Sequence, residues 1–241
     1  MEGIWDIHCH VVPQVDDGSA SLEMSMEMLK HAYKDGVRGM IVTPHFRRGM
    51  FEADRDTVER QFLRLREASE EAMPDLVLRL GCEFHANLDM AETVAEDARY
   101  RMNGGSYVLV EFSGRDTARQ IEEICHALRA AGYLPIVAHA ERCGVIVKNP
   151  DLIDDLHDIG AYIQVNADSI IGEDGFGMKR FCAKLLRKDQ IDFIGSDAHN
   201  LKSRPSRIGQ CAEHLRKTYG GSCARDLLIR NPVCAARGEE L

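Results

Sequence analysis

The chain has 241 residues, 44% of them hydrophobic, which is enough to bury a sizeable core without disulfide staples. Thirty basic against 39 acidic residues leave a formal charge of −9, the opposite of the basic footprint that binding to a nucleic-acid backbone needs. No apolar run reaches membrane-spanning length and the opening MEGIWDIHCH lacks the basic and apolar regions of a signal peptide, so the sequence reads as a cytoplasmic protein with no membrane insertion.

Short apolar runs alternate with longer segments of helical period, the pattern of repeated strand–helix units on a mainly parallel sheet. A first strand is expected over 4–8, running into Asp6-Ile7-His8-Cys9-His10. Alternation in extended chain sends His8 and His10 to one side, where two imidazoles can grip one ion, and Cys9 to the other, into the core. An isolated pair of this kind also arises by coincidence. In the following Val15-Asp16-Asp17-Gly18, Asp17 is the candidate carboxylate ligand, although Asp-Gly also makes turns or caps the helix expected over 20–35. A strand over 39–43 leads into Thr43-Pro44-His45 and a basic loop, in which Arg48 is either an anion-binding group or a solvated cation.

After a helix over 54–72, capped by Asp54, a strand over 76–83 ends on Glu83, with His85 just beyond it and open between pocket and surface. A weaker helix is expected near 90–99. The strand YVLVEF over 107–112 carries Glu111, an acid of a kind rarely buried unless paired or metal-bound, and suited to bridging two ions. A helix over 117–131 begins at Asp116 or Thr117, and a strand over 134–139 ends on His139. Arg142 follows as either a surface cation or a partner for a phosphoryl group. A helix over 150–159 places Pro150 in its first turn. Beyond it come a strand over 162–166, a helix over 176–188, and a strand over 193–197 whose Asp197-Ala198-His199 repeats the alternate spacing; a helix over 206–219 completes the set. Gly36, Gly132 and Gly160 each follow a helix and serve as C-caps. With no linker or low-complexity tract, residues 1–241 are expected to form one domain.

Seven strands result, and the C-terminal strand ends of a βα barrel meet at one face. His8, His10, His45, Glu83, Glu111, His139, Asp197 and His199 would then converge. Five imidazoles and three carboxylates crowded together have no stabilising logic without cations, because desolvating unpaired charge costs several kcal/mol per ion. The remaining histidines in or beside helices, His31, His126, His157 and His214, read as surface or satisfied core groups. The eight cysteines are scattered, with no Cys-x-x-Cys, so they read as free thiols, and none is followed six positions later by arginine as thiolate phosphatase chemistry would require.

The ordered set HxH, Asp-Asp-Gly, TPH, Glu, Glu, His and SDxH resembles the polymerase and histidinol phosphatase (PHP) superfamily. More narrowly, DIHCHVVPQVDDG, TPHFRRGMF, LVEF, VAHAER, QVNADSI and SDAHN with RPSR resemble the bacterial metal-dependent protein-tyrosine phosphatases of capsule and exopolysaccharide operons. The resemblance implies an α/β fold, a distorted (β/α)7 TIM-like barrel. It further implies three divalent metal ions, most often Mn, with Fe, Zn or Mg also accepted, held by His8, His10, Asp17, His45, Glu83, Glu111, His139, Asp197 and His199.

By the same resemblance Arg142 and Arg204 would hold the phosphate, while His45 or His199 would assist the leaving phenolate after attack by a metal-activated hydroxide. The implied partner is a phosphotyrosine protein, such as the autophosphorylated tyrosine kinase of the same operon. Cys143, where relatives carry an aromatic residue, and Cys9, where serine is frequent, depart from the pattern without removing a ligand. A PHP phosphatase for a small phosphoester such as histidinol phosphate, a PHP nuclease, an amidohydrolase and a non-catalytic metal-binding regulator are the rivals. Net acidity disfavours the nuclease, and Glu111 stands where an amidohydrolase places its bridging lysine.

Overall fold

The computed structural model describes residues 3–241. Among the described residues nine strands form: β1 Ile4–Asp6, β2 Val37–Val42, β3 His45–Phe46, β4 Val77–Leu80, β5 Glu83–His85, β6 Tyr107–Glu111, β7 Leu134–Val137, β8 Tyr162–Asn166 and β9 Phe193–Gly195. All pairings between them are parallel, in the orders β1-β2-β4 and β3-β5-β6-β7-β8-β9. The strand count exceeds the expected seven because two strands are divided. Thr43-Pro44 separates β2 from β3, where proline has no N–H for the ladder, and Gly81-Cys82 separates β4 from β5. Cross-strand bonds span both breaks, from Gly81 N to the Val42 carbonyl at 2.8 Å and from Glu83 N to the Pro44 carbonyl at 3.1 Å. At the far edge Asp197 N donates to the His8 carbonyl at 2.7 Å and His10 N to that of Ala198 at 2.9 Å, so the segment after β9 lies against the segment after β1.

Eleven α-helices among the described residues connect and cover the strands: α1 Leu22–Lys34, α2 Arg55–Ala72, α3 Met90–Glu96, α4 Ala118–Ala130, α5 Gly144–Lys148, α6 Leu152–Ile159, α7 Ala167–Ile171, α8 Phe176–Arg187, α9 Ile208–Thr218, α10 Gly221–Arg225 and α11 Asn231–Arg237. Local chemistry starts them as expected. The Asp54 carboxylate accepts from Thr57 N at 2.8 Å, and Thr117 forms a reciprocal capping box with Gln120. Pro150 sits just before α6 rather than inside it, its carbonyl accepting from Ile153 N at 3.1 Å. The expected C-caps Gly36, Gly132 and Gly160 all have φ between 84° and 97°. The short helices α5 and α7 and the C-terminal α10, π turn and α11 were not expected. Among the described residues, no helix is long and apolar enough to cross a membrane.

The curled sheet has two apolar faces. Val108 and Val110 of β6 pack outward with helix residues such as Ile121, Cys125 and Leu128. Tyr107 and Leu109 face the concave side with Ile41, Ile136 and Phe193. Ala235 and Ala236 of α11 join this inner cluster, and Tyr107 Oη donates to the Glu239 carbonyl at 3.0 Å, so the C-terminal segment plugs one end of the concavity. By strand alternation Glu111 continues the inward series of Tyr107 and Leu109, at the opposite end. All eight cysteines are free thiols.

Candidate functional site

Glu83 is the hub of the open end. Its Oε2 lies 3.2 Å from Nε2 of His8, 3.2 Å from Nε2 of His10 and 2.9 Å from Nδ1 of His45, and its Oε1 lies 2.8 Å from Nε2 of His139. Burial would raise this carboxyl, but the His8 charge and the close imidazole nitrogens of His10, His139 and His45 hold it well below the usual carboxylate range. Glu83, and not Glu111, is thus the carboxylate set among four imidazoles. The parallel register sets Glu111 beside His85, and the pair bonds at 2.9 Å, leaving Glu111 4.0 Å from His139.

His8 and His10 are fully buried in the cluster, while Cys9 packs in the outer core, as strand alternation predicts. Asp16 fixes His10: its Oδ2 meets His10 Nδ1 at 2.8 Å and accepts from His45 N at 2.9 Å. Despite burial, the His10 charge and hydrogen bond lower the Asp16 carboxyl to about 2, and Asp16 in turn holds the buried His10 well above its ordinary value. Asp17 stands at the half-exposed mouth, its Oδ1 3.5 Å from His45 Nε2 and 3.4 Å from His199 Nε2. Burial lowers the His199 imidazole and the neighbouring charge of His10 lowers it further, to about 3. His139 is pulled the other way, to about 9, because hydrogen bonding and charge from Glu83 overcome its burial.

Asp197 joins the cluster to the arginines. Its Oδ1 is 3.5 Å from His10 Nε2, and its Oδ2 accepts from Arg142 at 2.6 Å and from Arg204 at 2.7 Å. His139 and Asp197 both adopt left-handed backbone, with φ of 32° and 53°, a conformation that non-glycine residues hold at a cost.

Three groups of donor atoms lie within 4.8 Å of one another: His10, Asp17, His45 and His199; His8, His10 and Asp197; and His45, Glu83 and Glu111. Eight of the nine expected ligands are in them, and the ninth, His139, bonds Glu83. His45 Nδ1, Glu83 Oε2 and His199 Nε2 are buried and, although close to one another or to Asp17, make no contact with hydrogen-bond geometry. Buried polar atoms are normally satisfied, so free atoms aimed at one space in an imidazole and carboxylate set fit divalent cations.

Above the cluster opens a cavity of about 590 Å³, lined by Arg142, Arg204, Asp17, His85, Arg47, Met50, Phe51 and Phe112, among others. Arg48 is not in this lining. Its guanidinium bonds Asp89 at 2.7 Å and Thr93 at 3.0 Å, and the neighbouring Arg47 reaches the cavity instead. Asp16 and Arg47 are thus site residues that sequence reasoning passed over. Each belongs to a tandem pair in a loop, where spacing does not say which member turns inward. His31 and His157 bond Ser206 and Asp192 and stay outside the site, as expected.

A family model described as capsular polysaccharide synthesis, CpsB/CapC, matches residues 4–236. The tyrosine-protein phosphatase CpsB of Streptococcus pneumoniae is 35% identical over 232 residues, covering 94% of this chain and 96% of its own length. The tyrosine-protein phosphatase YwqE of Bacillus subtilis is 32% identical over 233 residues, covering 94% of this chain and 91% of its own. A solved structure from work on YwqE of B. subtilis and CpsB of S. pneumoniae, described as unique metal-dependent tyrosine phosphatases, superposes with a TM-score of 0.91 at 30% identity. It covers 98% of this chain and 95% of that one. With the match running through every segment that contributes to the cluster, this chain belongs to the CpsB/CapC family of capsular polysaccharide synthesis.

Proposed function

We propose that this chain is a metal-dependent protein-tyrosine phosphatase. The observation that carries the reading is the set of buried, unpartnered donor atoms at the floor of a single cavity whose edge bears Arg142 and Arg204. The names of the relatives CpsB and YwqE support it. The proposal includes one cytoplasmic domain over residues 1–241, a distorted (β/α)7 barrel in which β2 with β3 and β4 with β5 each count as one strand. It also includes three divalent ions, Mn first among the candidates, held by His8, His10, Asp17, His45, Glu83, Glu111, His139, Asp197 and His199.

Bound divalent ions would supply neutralising charge for the phosphoryl oxygens and a water ionised near neutral pH. The chain's own groups do the rest. Arg142 and Arg204 each give one N–H to Asp197, which aims the guanidinium forks and leaves further N–H groups for phosphate. Met50, Phe51 and Phe112 offer apolar walls beside this polar floor, a match for a phenyl ring carrying a phosphate. His199 Nδ1 lies 2.9 Å from the Asp197 carbonyl, which can only accept, so its Nε2 is the nitrogen available to a cation, and help to the leaving phenolate is assigned to His45 or His199. No cysteine lines the cavity among the described residues, and burial pushes the Cys9 thiol well above its ordinary value, which leaves no thiolate nucleophile.

The proposed substrate is a phosphotyrosine protein, with the autophosphorylated tyrosine kinase of a capsule operon as the candidate. A substrate panel with Mn2+ present tests this. A phosphotyrosine peptide should give a higher kcat/KM than histidinol phosphate, and the reverse order would reassign the chain to small phosphoesters.

A further inference from the structure

We propose that Gln164, in β8, is a positioning residue that fixes the ring tautomer of His8 and the strained backbone of His139, and so sets cation affinity at the site. The inference rests on the metal-site reading above.

The hydrogen-bond directions are determined from both ends of a buried chain. The Asp197 carboxylate already takes both arginines on Oδ2, and Asn166 Nδ2 donates to the same oxygen at 3.1 Å. Asn166 therefore turns its Oδ1 away, where it accepts from Gln164 Nε2 at 2.9 Å. That leaves Gln164 Oε1 facing the backbone N–H of His139 at 2.8 Å, a group that can only donate. The same oxygen lies 3.0 Å from His8 Nδ1. An oxygen with only lone pairs to offer requires a hydrogen on that nitrogen, so His8 carries its proton on Nδ1. In the neutral ring that a cation requires, Nε2 is then the nitrogen that presents a lone pair toward the space shared with Glu83, His10 and Asp197.

The contact crosses β9 through a gap that only glycine leaves. A Cβ at Gly195 would stand 2.5 Å from the His8 Cβ and 3.1 Å from Gln164 Nε2. His8, Gln164 and Asn166 are all fully buried, so water does not replace a lost partner. His10 gets the same service from a carboxylate, Asp16, whereas His8 gets it from a neutral amide that also pins a second ligand segment. Partners of this kind typically change metal affinity by about 10–100-fold when removed.

The test is Mn2+ affinity, measured by competition with a chelator on the full chain. Gln164→Met keeps the volume and removes the acceptor; Gln164→Glu keeps an acceptor for both N–H groups. Gln164→Met is expected to weaken Mn2+ binding by about 10–100-fold, while Gln164→Glu, which gives up the donor to Asn166 but keeps the acceptor for His8 and His139, binds more tightly than Gln164→Met. Equal affinity of Gln164→Met and wild type, or equal losses in both variants, would overturn the inference and leave the metal site standing. A wild type that binds neither Mn2+ nor Zn2+ would overturn the metal-site reading itself. Nitrogen-15 histidine spectra of the Zn2+-loaded wild type give a check that needs no variant: His8 should show the Nδ1–H tautomer, and Nε2–H contradicts the inference.

Discussion

At the scale of single residues, the site is organised by two carboxylates with different work. Glu83 gathers four imidazoles, and Asp197 couples the imidazoles to the arginines. Glu83→Ala should abolish phosphotyrosine hydrolysis and strip bound metal, read by elemental analysis of the purified variant. Arg142→Ala should retain metal yet lower kcat/KM by roughly 10²–10³, the usual cost of removing one preorganised donor to a transition-state oxyanion. Arg48→Ala, by contrast, should leave kcat unchanged, because its guanidinium is held by Asp89 and Thr93 outside the cavity lining. Residue types and strand-end positions made the ligand candidates legible in the sequence. The choices within Asp16-Asp17 and Arg47-Arg48 were not, because neighbouring loop side chains diverge by backbone turns that no periodicity encodes.

At the scale of elements, alternation gave the facing of β6 and of the His8-Cys9-His10 segment, and capping residues gave the helix starts at 54 and 117. The strand breaks were less readable, since Pro44 and Gly81 interrupt a ladder only in combination with what lies opposite. The C-terminal helices were missed because their inward face consists of small alanines, which give a weak apolar signal despite packing against Tyr107. One element contact has a pH signature. His157 of α6 bonds Asp192, just before β9, at 2.9 Å, and this bond raises its imidazole above the ordinary 6.5. A raised folded-state value means the contact contributes fully below about pH 6.5 and is lost as pH rises through the higher value. Urea midpoints should therefore fall from pH 6 to pH 9 more in the wild type than in His157→Gln. Parallel pH profiles would show that the bond adds nothing in solution.

At the scale of the whole molecule, the inner core is closed at one end by α11 and opens at the other on the donor cluster. That polarity explains how a chain with a net charge of −9 can receive an anionic substrate: the acids Asp17, Glu83, Glu111 and Asp197 are turned toward imidazoles and arginines. Ions that bind only the folded chain also stabilise it, by about 2.7 kcal/mol at a hundredfold excess over Kd. The melting temperature should accordingly rise with added Mn2+ and fall with chelator. The most direct test of the central claim is hydrolysis of a phosphotyrosine peptide by purified protein that has been stripped of metal, verified by elemental analysis, and then resupplied with Mn2+. The account predicts no turnover in the stripped protein and its return with Mn2+; full activity with metal content confirmed as nil would contradict it.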